Sequence, residues 1–222
     1  MQLQIAPSLL SADFLHLEDS VKAVDQPSDL LHLDVMDGTL VPNISYGFPI
    51  IEAISKIAQT PMDTHLMVVH PERWFKRLAE LGTSMVSFHL EAVKRDFEDV
   101  EGTVSSFIDE IHFLGMKAGI AINPDMPVEE LYPYLNKADF FLVMSVFAGF
   151  GGQKFIPESI DRIKSLKSEI ERVGSKALIE VDGGVGTANS ALLGEAGATI
   201  LVAGSSVFKS ACPSETINAL KK

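Results

Sequence analysis

Eight short apolar runs alternate with segments of helical period along the chain, and that alternation is the strongest constraint on its fold. The runs occupy 5–10, 30–36, 62–68, 85–90, 117–122, 140–146, 177–181 and 199–204. Helical patterns fall between them at 14–24, 71–81, 97–113, 128–135 and 157–173, several opening on proline or acidic residues as helix starts prefer. Eight β/α units in 222 residues, with no linker or low-complexity segment, fit one closed (β/α)8 barrel over residues 1–222 better than two domains. An open doubly wound sheet is the competing arrangement.

The second strand, LHLDVM, carries polar residues where a core strand should be apolar. Alternate side chains share a face, so His32, Asp34 and Met36 point one way and Leu33 and Val35 the other. The polar face must look into the barrel, with Asp37 and Gly38 just past the strand's C-terminal end, where barrel enzymes build their sites. The third strand repeats the arrangement, with Asp63, His65 and Met67 opposite Leu66 and Val68. The first offers Ser8, the fourth His89 with Glu91, and the seventh delivers Asp182 at its tip. Taken alone, His89 reads better as a core histidine with satisfied nitrogens than as a ligand. His32, Asp34, His65 and Asp182 read differently, because buried carboxylates are costly unpaired and here two meet two imidazoles. A divalent cation satisfies all four; the donor set suits zinc first and also iron(II), manganese or cobalt, while a metal-free ion-paired network is the other reading.

Composition removes several functions. With 46% hydrophobic residues the chain supports a large core, and a net charge of −12 leaves no broad basic face for nucleic acid or an anionic membrane. Any anionic ligand must be held locally. Cys212 stands alone, which excludes an intrachain disulfide and fits a reducing compartment. The N-terminus lacks a signal-peptide pattern, and the apolar run at 140–150 is too short to span a bilayer, so a cytoplasmic location is expected.

Glycine-rich turns follow the last three strands: GFGGQ at 149–153, DGGVG at 182–186 and AGSSVF at 203–208. Such turns present backbone N–H groups and can cradle phosphate without a lysine. One glycine pair is usually only a tight turn; three in succession at one end of a barrel favour phosphate. Met36, Met67 and Met144 fall near strand tips, where each alone reads as core filler.

PSLLSADF, HLDVMDGTLVPN, DTHLM, HLEA, INP, MSVFAGFGGQKF, EVDGG and VAGSSVF resemble, in order, the signature motifs of ribulose-phosphate 3-epimerases, from Ala6 to Phe208. The resemblance implies a ribulose-phosphate-binding TIM barrel, an isomerase of the pentose phosphate pathway interconverting D-ribulose 5-phosphate and D-xylulose 5-phosphate. It implies one divalent metal per subunit on His32, Asp34, His65 and Asp182, with Asp34 and Asp182 also the acid/base pair. Ser8, His65 and Asp182 would contact substrate. Gly149, Phe150, Gly151, Gly152, Gly183, Gly184, Gly204 and Ser205 would grip the phosphate end, and Met36, Met67 and Met144 would form a thioether cluster over the site. The expected partner is a small phosphorylated ketose, and a homo-oligomer is expected. Two positions depart from the family pattern: Phe147-Ala148 stands where Asn-Pro is usual, and Met126 where Thr is usual. The first bears on the lid loop and the sugar fit; sibling epimerases acting on allulose 6-phosphate share most of these motifs, so D-allulose 6-phosphate is the competing substrate, while the paired glycine of VDGG resembles the pentose-phosphate branch. A Schiff-base aldolase is disfavoured because Lys117 and Lys176 sit at strand starts, the wrong end of a barrel. A sugar-phosphate sensor would have no use for two aspartates on a metal.

Overall fold

The structure is a computed structural model that describes residues 3–222. Eight strands, β1 (Gln4–Pro7), β2 (Leu31–Met36), β3 (Met62–Met67), β4 (Thr83–His89), β5 (Lys117–Ile122), β6 (Phe140–Met144), β7 (Leu178–Asp182) and β8 (Ile200–Ala203), form one parallel sheet in the order β1-β8-β7-β6-β5-β4-β3-β2. A parallel bridge between Ser8 and His32 brings the two end strands together, so the sheet curls into a barrel. The helices are α1 (Leu17–Asp25), α2 (Phe48–Ser55), α3 (Phe75–Glu80), α4 (Leu90–Asp96), α5 (Val100–Phe113), α6 (Ser159–Val173), α7 (Ser190–Ala196), α8 (Ser205–Phe208) and α9 (Pro213–Leu220). Among the described residues no helix is long and apolar enough to cross a membrane.

Strand parity sorts the core into an outer and an inner part. Leu31, Leu33, Leu66, Val86, Phe88, Ile120, Phe141, Val143, Ile179, Val181 and Leu201 belong to the large cluster between sheet and helices. On α6, Ile163, Leu166 and Ile170 share the buried stripe, and the helix stops at Gly174, whose φ of 68° is the left-handed conformation glycine tolerates. The opposite parity fills the barrel. Its lower layer is apolar, with Ala6, Met85, Phe140, Ile200 and Val202 packed together. Above lie the buried polar residues His32, Asp34, Asp63, His65, Ser87, His89 and Glu180.

Several helices differ from the sequence expectation in type or start. The 128–135 pattern folds as a 3-10 helix, Val128–Tyr134, because it is short and contains Pro133, which removes a donor from the α ladder. The first pattern opens with a 3-10 turn at Phe14–His16 before α1. The 97–113 pattern begins at Val100, since the Asp99 side chain accepts the Gly102 N–H and caps α5 there.

Gly119 occupies the inward parity of β5, and a Cβ there would lie 2.2 Å from the Phe140 ring. The aromatic ring fills the space a side chain would need. Gly119→Ala is therefore expected to destabilise the fold by about 1–3 kcal/mol through overpacking, measured as a lowered urea midpoint with an unchanged m-value.

Candidate active site

The mouth of the barrel holds a pocket lined by Ser8, Asp34, Met36, Met67, Met144, Asp182 and the glycine turns Gly149–Gly152, Gly183–Gly184 and Gly204–Ser205. Phe150 also lines it. His32 and His65 do not line the wall; both are fully buried. Parallel register explains the convergence, because β2 pairs with β3 so that Asp34 sits beside His65 and Met36 beside Met67. Across β6 and β7 the same logic sets Met144 beside Asp182.

His32, Asp34, His65 and Asp182 present ligand atoms that all lie within 4.8 Å of one another. Asp34 Oδ1 lies 3.4 Å from His32 Nε2 and 3.2 Å from His65 Nδ1, and Asp182 Oδ2 lies 4.0 Å from the same His65 nitrogen. Four ligands about 2.0–2.1 Å from a tetrahedral ion would lie about 3.3 Å apart, close to these separations. His32 Nε2 is buried with no hydrogen-bond partner, although it faces the other three groups. A buried nitrogen in that condition is what a bound cation would satisfy. The residues fit a divalent metal.

Each member is oriented from behind. His32 Nδ1 lies 2.6 Å from Asp63 Oδ2, which directs Nε2 toward the quartet. Ser8 Oγ donates to Asp34 Oδ2, and the Asp34 backbone N–H donates to the Tyr46 hydroxyl. Glu180, from the inward face of β7, lies 3.6 Å from His32 Nδ1 and is fully buried. Burial, and then the charge of Asp63, push the Glu180 carboxyl well above its ordinary range. The sequence reading passed over Glu180, although its parity two residues before Asp182 was a usable signal.

The two aspartates titrate apart. Burial opposes ionisation of Asp34, but the neighbouring His32 and His65 rings, His32 above all, outweigh it and hold the carboxyl well below the usual range. Burial, and then the Asp34 carboxylate, push Asp182 up to about 7. Burial pulls His65 down to about 4, so its ring is neutral and able to offer a lone pair. Divergent acidities in a shared pocket suit one group to take a proton while the other gives one.

Other residues have plainer duties. Asp37 lies outside the pocket wall: its carboxylate accepts the N–H groups of Thr39, Leu40 and Val69 and so ties the β2 and β3 loops together. The loop at 147–153 is fastened by Asn43 Nδ2 donating to Gly149 O at 2.8 Å and by the Ala148 N–H donating to Asn123 Oδ1 at 2.9 Å. His89 is fully buried and contacts His65, 2.8 Å between their Nε2 atoms.

The profile of the Ribulose-phosphate 3 epimerase family matches residues 4–208. The cytoplasmic isoform of ribulose-phosphate 3-epimerase from Oryza sativa subsp. japonica is 39% identical over 223 residues, covering 99% of this chain and 93% of the relative. Ribulose-phosphate 3-epimerase from Bacillus subtilis is 41% identical, covering 93% of this chain and 92% of its own length. In fold, KGPDC from Streptococcus mutans superposes with a TM-score of 0.73 at 11% identity, covering 100% of this chain and 96% of that one. The 3-hexulose-6-phosphate synthase from Salmonella typhimurium does so with 0.68 at 18% identity, covering 100% and 97%. At such identities the structural likeness speaks for the barrel alone. The profile match, the near-full-length relatives and the β/α barrel place the chain in the ribulose-phosphate 3-epimerase family.

Proposed function

We propose that the chain interconverts D-ribulose 5-phosphate and D-xylulose 5-phosphate by inverting C3, with Asp34 and Asp182 as the acid/base pair. The observation that carries this reading is the meeting of two carboxylates of opposite acidity, from β2 and β7, with two buried imidazoles at the floor of one pocket.

Inversion beside the C2 ketone requires loss of the C3 proton to one face and its replacement from the other. The electron pair left at C3 is shared with the C2 oxygen as an enediolate, and no redox step occurs. Asp34 and Asp182 stand on strands separated by β8 and β1, so a flat intermediate can lie between them. As one accepts a proton the other is positioned to deliver one, and the pair titrates as a coupled unit. A divalent ion held by His32, Asp34, His65 and Asp182 would supply positive charge where the substrate oxygens become negative. Ser8 holds Asp34 by its second oxygen, and the thioethers of Met36, Met67 and Met144 wall the pocket without offering a competing acid.

A phosphate grip at the Gly183–Gly184, Gly204–Ser205 and Gly149–Gly152 turns is supported by their sharing the pocket wall. Lys154 is exposed and outside that wall. Gly184 is unsuitable for a test, since at its φ of 64° a Cβ would lie 2.4 Å from the Phe155 backbone nitrogen. At Gly204 the one close approach of a Cβ would be to the Ser11 hydroxyl at 2.6 Å, the end of a small side chain, with Ser8 Cβ at an ordinary 3.6 Å.

Asp34→Asn and Asp182→Asn are each expected to cut kcat by several orders of magnitude with the circular dichroism spectrum retained. Wild-type turnover in D2O should place deuterium at C3, read by NMR of the product. Ribulose 5-phosphate should be turned over faster than D-allulose 6-phosphate, the competing substrate of the sibling epimerases that share most of these motifs. Chelation should abolish turnover, and His65→Ala should lower metal stoichiometry and activity together, by elemental analysis and assay, with excess metal restoring part of both. Gly204→Ala should raise KM several-fold, and more than Lys154→Ala does, in steady-state kinetics.

A further inference from the structure

Behind His65 runs a chain of contacts that the reaction itself does not use. His65 Nε2 meets His89 Nε2 at 2.8 Å, His89 Nδ1 meets Glu91 Oε2 at 3.1 Å, and Glu91 Oε1 accepts the Asn123 backbone N–H at 2.7 Å. Two ring nitrogens in contact need one hydrogen between them, so one ring must donate and the other accept. An ionised carboxylate only accepts. Glu91, with one oxygen engaged by Asn123, therefore requires the hydrogen of His89 on Nδ1. The Nε2 of a neutral His89 is then a lone pair, and His65 must carry its own hydrogen on Nε2 to meet it. That leaves His65 Nδ1, the atom 3.2 Å from Asp34 Oδ1, as a lone pair in the middle of the quartet. The reverse order would set two acceptors, His89 Nδ1 and the Glu91 carboxylate, face to face at 3.1 Å outside the quartet with nothing to bridge them, whereas the lone pair of His65 Nδ1 and Asp34 Oδ1 meet inside the quartet, where a cation would stand between them.

We propose that His89 and Glu91 are positioning residues that fix His65 in the tautomer offering Nδ1 to a divalent metal. The proposal rests on the reading that His65 is a metal ligand. Outer groups that set a ligand histidine's tautomer are typically worth about 10–100-fold in metal affinity. Glutamine at 89 can reproduce both contacts, its oxygen accepting from His65 and its amide donating to Glu91; leucine can make neither.

The test measures the zinc dissociation constant of the full chain by competition with a chromophoric chelator. Glu91→Gln and His89→Leu should bind zinc about 10–100-fold more weakly than wild type, with His89→Gln recovering most of the loss. Glu91→Gln is nearly isosteric at a partly exposed side chain, so it tests the proposal even if His89→Leu fails to fold. In zinc-loaded wild type, long-range 15N–1H spectra should place the His89 hydrogen on Nδ1 alone and the His65 hydrogen on Nε2. If wild type binds zinc while Glu91→Gln matches its affinity, or if His89 carries hydrogen on Nε2, the proposal is overturned and the metal reading stands. If wild type takes up no zinc, the metal reading fails and the proposal falls with it.

Discussion

Burying ionisable side chains is costly unless each finds a partner, and at the mouth of this barrel the partners are one another. The contacts of His32 with Asp63 and of Asp34 with His65 form as soon as β2 pairs with β3, but Asp182 comes from across the barrel and Ser8 from β1, so the quartet is complete only when the sheet has curled. The polar layer and barrel closure are thus one constraint. Ser8 shows it directly, since it forms the bridge to His32 that joins β1 to β2 and also hydrogen-bonds Asp34. Beneath the polar layer, Phe140 and its apolar neighbours keep the barrel floor dry, so the charges above interact through a medium less polar than water.

Much of this was legible because parallel strands impose a two-residue period on which side chains share a face. The inward set His32, Asp34, Met36 and its counterpart Asp63, His65, Met67 could be read from parity alone, and the structure puts both inside. Less legible were features that depend on what lies across the barrel. Glu180 sits among the outward residues Ile179 and Val181, and its meeting with Asp63 and His32 depends on closure, which no local pattern reports. His89 read as an ordinary core histidine for the same reason: its neighbour His65 is remote in sequence, and only the β3–β4 register brings the rings together. Short helices such as α2 and α4, of eight and seven residues, carry too few turns for a clear periodicity.

The glycine turns divide by physical cause. Gly184 is dictated by its left-handed backbone and by the Phe155 backbone against it, whereas Gly204 has a negative φ and a Cβ there would press on the side chain of Ser11, with Ser8 at ordinary contact distance. A motif search treats them alike; a Cβ built on each backbone separates them.

The loop carrying Phe147 and Ala148 is held at position 148 by a hydrogen bond from the peptide N–H to Asn123, a bond that proline could not make. Proline stiffens a chain whether or not it is docked, lowering the entropy of the released loop by an amount worth about 0.4–1 kcal/mol. Alanine confers no such permanent stiffness. In this chain the segment is instead tied by a hydrogen-bonded latch to Asn123, beside the Asn43 bond to Gly149. Because Asn123 also donates its backbone N–H to Glu91, the latch is anchored to the residues that stand behind His65. The loop that lines the pocket and the ring beneath its floor therefore share one footing.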